Sequence, residues 1–438
     1  MIRSTTRALL VVYLASVAGT MVSAAQRFQI QTPSQAAPVV VYAAADDVPE
    51  PVRLETFRIV WETVRDRYFD PTFAGVDWAA VRERYRPLVL AAPKSGAFHA
   101  LLQKMVGELS GSHLRVFAPG ERVGGPAPSG PPPMAQDGVV VRVGEEGILV
   151  YAVPEKSPSW EAGLRPGFLV LAVDGTELPD AATIRKAPRT SLGRARQLLS
   201  GAEGTAAQVR VLDAVGQQRV LALPRTVPFK RSGNLAKPEL EWRRPSPRVG
   251  YVRFDIWGPT LGARLEPALA ELADTDALII DIRNNSGGME PGVNRLLKFL
   301  MADPGLVAVI TERGGQARDW RHEGSGTAAY RGKVAVLVDD LSGSASEVFA
   351  GAIQESGRAI VLGRTSYGGV LNSTTEQLPT GGTLQYPHSD MRTPKGRRIE
   401  GAGVVPDVAV ELRQADLLVG KDTVVEKAIE VLTQAAKR

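Results

Sequence analysis

Apolar residues recur at helical spacing from Pro51 to about Leu109. In LETFRIVWETVRDRYF, residues Leu54, Phe57, Val60, Trp61, Val64 and Tyr68 fall near one face, which predicts an amphipathic helix. DWAAVRERYRPLV and AFHALLQKMVGEL repeat the pattern, and it stops at SGSHLRVF. A small helical domain is therefore expected over 51–118. The run Gly124–Gln136, GGPAPSGPPPMAQ, is too rich in Pro and Gly for regular structure and predicts a linker over 119–136.

Beyond the linker the period shortens. GVVVRV and GILVYAV alternate as short strands. SPSWEAGLRPGFLVLAVDGTEL (Ser157–Leu178) follows, ordered as a short helix, a Pro-Gly turn, an apolar strand and an Asp-Gly turn. This stretch resembles a PDZ domain of the kind found in bacterial proteases, placed here over 137–226. The resemblance implies a module that binds peptide as an added strand, with QDGVVV around Gly138 as the nearest candidate for its carboxylate loop.

From about Arg248 strands and helices take turns: RVGYVRFDIW, LGARLEPALAELADT, DALIIDIRNNSGG, GVNRLLKFLM, KVAVLVDD, a helix after Ser344, then AIVLG. This order predicts an α/β layer with buried, partly parallel strands over 240–438, closed by a helix after Lys421.

The first residues read differently. Arg3 and Arg7 precede an apolar run from Ala8 to Val22, and small residues at Val22-Ser23-Ala24 or Ser23-Ala24-Ala25 offer cleavage sites. A secretory signal peptide over 1–25, a polar linker over 26–50 and an exported, periplasmic or extracellular protein are expected. The competing reading, a membrane anchor, needs about 20 apolar residues, and this run holds Ser16, Gly19 and Thr20.

At 438 residues the chain is long for a single core. Its net charge of +5 comes from 52 basic residues scattered among 47 acidic ones, so a nucleic-acid partner is not expected. It has no cysteine, which excludes disulfides, thiolate catalysis and cysteine metal sites. With four histidines (His99, His113, His322 and His388), a His-rich metal site is not expected.

DDLSGSASEVFAGAIQESG (Asp339–Gly357) joins a strand to a helix. Ser344-Ala345-Ser346-Glu347 fits a capping box. The same geometry would expose the Ser344 hydroxyl at a helix N-terminus, where the free N–H of Ala345 could face an oxyanion. The local pattern serves both readings. DIRNNSGG (Asp281–Gly288) follows an apolar strand, and either Gly287 or Gly288 could bring a second backbone donor close to a ligand. An ordinary Asn-Ser-Gly-Gly turn is the other reading.

Together DIRNNSGG, SGSASE, GRRIEGAGVVPDVAV (Gly396–Val410), VDWAAVRERY and GELSGSHLRVF resemble the C-terminal processing (tail-specific) serine peptidases and their tricorn-like relatives. The resemblance covers nearly all of the expected mature chain, in order. It implies an α/β, crotonase/ClpP-like protease core with an N-terminal helical domain and an inserted PDZ-like domain. It also implies Ser344 as nucleophile and the Ala345 N–H in the oxyanion hole. One branch of the family takes a lysine as general base, in a Gly-Lys-Gly after the next strand. Here that stretch is GRTSYGGV, with Gly369 at the lysine's place and no lysine between Lys333 and Lys395. The tricorn-like members instead imply His113 as base, Glu400 as its orienting carboxylate and Ser112 as a bridging serine. Without that context, His113 reads as a structural histidine and Glu400, beside Arg397 and Arg398, as a surface ion pair. His322 and His388 lie on no motif and are weaker candidates.

The expectation is a secreted serine endopeptidase acting on unfolded or C-terminally recognised proteins. The peptidase chemistry the resemblance implies needs no metal or other cofactor. Its partners would be protein or peptide substrates, with a homo-oligomer left open and no stable membrane span once the signal is cleaved. The alternative is an inactive peptide- or ligand-binding protein on the same scaffold.

Overall fold

The computed structural model describes residues 47–121, 135–136, 138–228, 239–326 and 330–434. The expected signal peptide and most of the Pro/Gly linker lie outside these residues.

Three helices open the described chain: α1 (Glu50–Arg67), α2 (Trp78–Leu90) and α3 (Ser95–Val106). Phe57, Val60 and Val64 of α1, with Tyr68 just beyond it, share one cluster with Trp78, Val81 and Tyr85 of α2 and Phe98, Leu102 and Met105 of α3. Trp61, part of the expected stripe, is only half-buried because it lies at the α1–α2 seam. Its indole donates to the Trp78 carbonyl at 2.9 Å, and the Trp78 indole donates to the Trp61 carbonyl at 3.1 Å. Asp77 caps α2, accepting from the Ala80 amide at 2.9 Å. After α3 the chain turns through Gly111–His113 into β1 (Arg115–Phe117), which pairs antiparallel with residues 383–385. That pairing brings the His113 turn beside the C-terminal half of the chain.

The two-residue strands β2 (Ala135–Gln136) and β9 (Val227–Pro228) pair where the chain enters and leaves an inserted β domain. Within it lie β3 (Val140–Val143), β4 (Ile148–Ala152), α4 (Pro158–Glu161), β5 (Leu169–Val173), β6 (Thr176–Glu177), α5 (Ala181–Lys186), α6 (Pro188–Leu199), β7 (Ala206–Leu212) and β8 (Gln218–Pro224). The sheet order is β3-β4-β5-β7-β8, with β6 beside β5, so β3 is an edge strand. Ser157 caps α4, accepting from the Trp160 amide at 3.2 Å. Asp174 and Gly175 turn β5 into β6, both at positive φ.

The C-terminal half carries a six-stranded sheet: β10 (Leu240–Ser246), β11 (Val249–Phe254), β12 (Ala277–Asp281), β15 (Lys333–Val338), β16 (Ala359–Gly363) and β19 (Val408–Ala409), adjacent in that order. Every pair from β11 to β19 is parallel, and β10 is antiparallel at the edge. Alternation along each strand decides what each face meets. Leu278 and Ile280 of β12 and Val334, Val336 and Val338 of β15 pack on α7 (Leu261–Glu271), α8 (Glu290–Leu300) and α9 (Ala345–Glu355). Ile279, Ala335 and Leu337 point the other way, onto Val424, Val425 and Ala428 of α11 (Thr423–Gln434), which follows the short α10 (Gln414–Leu418). Burial on both faces is why these strands read as unbroken apolar runs.

A second sheet was not legible in the sequence. Strands β13 (Gly305–Glu312), β14 (Ala317–His322), β17 (Asn372–Gln377) and β18 (Thr383–Arg392) form it with β1, in the order β1-β18-β13-β14 with β17 also on β18. It is antiparallel throughout. Leu384 and Tyr386 of β18 join the cluster of the N-terminal helices. Polar β14 (ARDWRH) and β17 (NSTTEQ) carry too little apolar alternation to announce themselves.

Candidate active site

The three serines at the junction of β15 and α9 differ sharply. Ser342 is buried; its hydroxyl donates to the Ile282 carbonyl at 2.8 Å and accepts from the Asp339 amide at 3.0 Å. Ser346 is buried too, accepting from the Trp257 indole at 2.9 Å and donating to the Asn285 carbonyl at 3.0 Å. Both hold the loop together. Ser344 alone remains partly exposed. It is the N-cap of α9, at φ 53° and ψ −119°, a conformation that costs a non-glycine residue of order 1–3 kcal/mol. Its amide donates to the Gly369 carbonyl at 3.1 Å and to Glu347 Oε2 at 3.0 Å. The helix start is therefore well capped and presents an accessible hydroxyl at once; the two local readings are one geometry.

The Gly-Gly loop lies against it. Gly287 has φ 105°, and a Cβ there would stand 2.5 Å from Ser344 Cβ and 3.0 Å from the Ala345 nitrogen. Gly288 has φ 133°, and a Cβ there would meet the Trp257 carbonyl oxygen at 2.5 Å. Only glycine fits at either position. The Gly287 amide is occupied, donating to Asn285 Oδ1 at 3.0 Å. The amides of Gly288 and Ala345 have no acceptor among the described residues. For Ala345 this follows from its place in the first turn of α9.

His113, at φ 60°, approaches from the turn before β1. Its Nδ1 is 2.8 Å from Ser112 Oγ, and Ser112 Oγ donates to Glu400 Oε2 at 3.0 Å. Glu400 Oε1 accepts from the Ser112 amide at 2.8 Å, and Oε2 also accepts from the Val370 amide at 2.8 Å. Glu400 is buried and makes no ion pair with its arginine neighbours; Arg397 pairs instead with Glu355 at 3.3 Å. Glu400 thus reaches His113 through Ser112 and not directly.

Ser344 and this cluster meet at the strap 366–370. The Gly369 carbonyl takes the Ser344 amide, and a Cβ on Gly369 would stand 3.3 Å from Ser112 Cβ. No direct hydrogen bond joins Ser344 to His113. The strap is held by Glu347. This buried carboxylate accepts from Ser366 Oγ at 2.6 Å and from the Gly369 amide at 2.9 Å, besides the Gly368 and Ser344 amides. Ser366 Oγ in turn accepts from the Val404 amide at 2.6 Å, tying the strap to the loop after Glu400. The sequence marked Glu347 only as a capping residue; its wider role depends on residues about 20 positions away.

Gly369 also explains the missing lysine. A Cβ there would run into the Tyr367 ring, which lies across Gly343 and Gly369 and remains about half exposed at 47%. The space a lysine stem would take is filled by Tyr367 and Ser112.

Burial pulls the His113 imidazole below its ordinary pKa, and the charge of Glu400 partly opposes this. The shift favours the neutral imidazole, the form that can accept a proton. Burial pushes the Glu347 carboxyl upward, against the pull of its four donors. Of the other motif residues, Asp281 and Arg283 are structural. Arg283 bridges Asp281 and Asp422 in the interior, and although burial would raise Asp281, the guanidinium holds it well below the carboxylate range. His322 and His388 sit on β14 and β18, and neither joins the network around Ser344. Among the described residues no group of three or more His, Asp or Glu is arranged to hold a metal ion, and no helix is long and apolar enough to cross a membrane.

The chain is similar to known proteins along most of its length. Residues 248–410 match peptidase family S41 and residues 49–107 match the Tricorn protease C1 domain. Carboxyl-terminal-processing peptidase 2, chloroplastic, of Arabidopsis thaliana is 28% identical over 80% of this chain and 67% of its own. The carboxyl-terminal-processing protease of Synechocystis is 26% identical over 85% of each chain. Among solved structures, the photosystem II D1 C-terminal processing protease superposes over 88% of this chain and 97% of its own, with a TM-score of 0.57 and 25% identity. Residues 248–410 thus carry a family S41 peptidase domain, and the chain is a serine-type peptidase similar to the carboxyl-terminal-processing proteases.

Proposed function

We propose that this chain is an exported endopeptidase with a tricorn-like Ser-His-Glu site, in which Ser344 is the nucleophile and His113 its base. The observation that carries the reading is the Glu400–Ser112–His113 chain. Ser112 has one hydroxyl proton and donates it to Glu400. Its oxygen must then accept from His113, so the imidazole proton sits on Nδ1 and the Nε2 lone pair is left to take a proton. Ser344 Oγ attacks the scissile carbonyl as its proton passes to Nε2. The imidazolium is stabilised by Glu400 through Ser112 and returns the proton to the leaving amine. The amides of Gly288 and Ala345 hold the oxyanion, and the α9 dipole adds to them. Water, deprotonated by His113, then releases the acid from the acyl-enzyme.

The inserted domain fits a PDZ-like module in this reading, and the core a crotonase/ClpP-like one. The free edge of β3 beside α6 is where a peptide could add as a strand. With relatives named for carboxyl-terminal processing, the substrates are taken to be unfolded or C-terminally recognised proteins. The test is turnover of casein by the mature chain beside Ser344→Ala and His113→Ala. Activity in the parent and losses of several orders of magnitude in both variants are expected, because triad members act as a unit. An inert parent under all conditions would favour a binding protein on this scaffold.

A further inference from the structure

Arg189, at the start of α6, reaches out of the inserted domain to the loop that carries Ser344. Its Nε donates to the Asp340 carbonyl oxygen, and its guanidinium lies over the Tyr367 ring. These two contacts fix the plane of the group. They leave its outer edge unused: Nη2 is buried without a partner, and Nη1 makes no hydrogen bond among the described residues. A guanidinium edge with two free parallel N–H donors matches a carboxylate. A buried donor such as Nη2 is normally satisfied, so its lack of a partner calls for a ligand or water.

Among the described residues no nearby carboxylate hydrogen-bonds the guanidinium, although Asp339 and Asp340 act on its charge. Asp340 Oδ1 pairs with Arg364 at 3.0 Å, and its Oδ2 is buried without a hydrogen-bond partner. Asp339 Oδ1 accepts from the Asn284 and Leu341 amides, at 2.8 and 3.1 Å. Glu347 is filled by its four donors. The place is also close to the chemistry. Tyr367 covers Gly343 and Gly369, which flank Ser344 in sequence and through the Ser344 amide bond.

We infer that Arg189 and Tyr367 form a substrate subsite beside Ser344 that receives a carboxylate of the peptide. This deepens the peptidase reading above and rests on it. Two sources share the chemistry: the free C-terminus, or an Asp or Glu side chain near the scissile bond. The Tyr367 ring offers the apolar wall beside that charge.

The test uses full-length Ser344→Ala protein, so binding is read without turnover. Three labelled peptides of one core sequence are titrated by fluorescence anisotropy: a free acid, its C-terminal amide, and an amide with an internal Glu. A bidentate charged pair predicts about 10–100-fold tighter binding for a carboxylate-bearing peptide than for the plain amide. In Arg189→Gln on the same background that preference falls to near one, while the plain amide binds as before. Arg189→Lys restores part of it. Tight binding of the free acid alone assigns the C-terminus, and of the Glu peptide alone the side chain. Equal binding of all three, or a preference that survives Arg189→Gln, overturns the subsite. Turnover by the parent chain reports separately on the peptidase reading, so the two failures are distinguishable.

Discussion

Ser112 gives both of its donors to Glu400, the amide at 2.8 Å and the hydroxyl at 3.0 Å. One carboxylate therefore fixes the backbone and the side chain of the residue that orients His113. Ser112→Ala keeps the first bond and loses the second, so His113 keeps its place but loses the relay. A drop in kcat of about 10–100-fold with little change in KM is expected. Glu400→Gln turns one oxygen into a donor facing the donors of Ser112 or Val370, and a loss of about 100–10,000-fold follows. Steady-state kinetics on a fluorogenic peptide measure both. Equal activity in Ser112→Ala and the parent would remove Ser112 from the mechanism.

The pH dependence follows from the same network. Burial lowers the His113 pKa, so the neutral, active form persists below the ordinary imidazole value of about 6.5. The kcat/KM profile should rise with pH along an acid limb centred below that value. Removing the Glu400 charge in Glu400→Gln removes what opposes the shift, and the limb of the residual activity moves to still lower pH. Stability has the same sign. The unfolded chain binds the His113 proton at higher pH than the folded one, so this contribution is complete above about 6.5 and is lost as pH falls toward the folded value. Profiles of kcat/KM for the two proteins check the shift; a limb moving upward in Glu400→Gln would contradict it.

The parallel core was legible in the sequence, for a physical reason. β12 and β15 are buried on both faces, so their runs announce themselves, and the turns after them carry their glycines and serines locally. Ser344 was legible as a residue but not as a role, because a helix cap and an exposed nucleophile share one backbone geometry. The Gly369 carbonyl and the Ser112–Glu400 pair, on which the proposed role rests, reach the site from distant parts of the chain. The antiparallel sheet stayed hidden for a related reason. Pairs such as Thr374 with Tyr386 are set by partners across a turn and by one buried face, and polar β17 shows no pattern of its own.

Gly369 tests whether the lysine of related sites could be restored. A Cβ at this position meets the Tyr367 ring and Ser112 Cβ. Gly369→Lys should therefore displace the strap and abolish activity instead of creating a Ser–Lys dyad. Adding Tyr367→Ala opens the ring's space but leaves the Ser112 contact, so activity stays below the parent. Casein turnover and a melting curve measure this; a Gly369→Lys protein as active as the parent would show the space to be free.

Glu347 is the strongest single constraint on the site. Its two oxygens accept four donors, from Ser344, Ser366, Gly368 and Gly369. Glu347→Gln keeps the volume but replaces one oxygen with an NH2 group that faces two of those donors. Leaving such buried donors unpaired costs about 1–3 kcal/mol each, which a urea titration at neutral pH reads directly. The kinetic effect is separable from that loss. The strap carries the Gly369 carbonyl that holds the Ser344 amide in its left-handed conformation, so a loosened strap lets Ser344 relax toward an ordinary cap. At temperatures where Glu347→Gln remains fully folded, kcat should fall at least about tenfold with KM nearly constant, because the nucleophile's aim is lost and substrate binding is not. A variant destabilised as expected but with unchanged kcat would make Glu347 a fold residue alone, with no part in aiming Ser344.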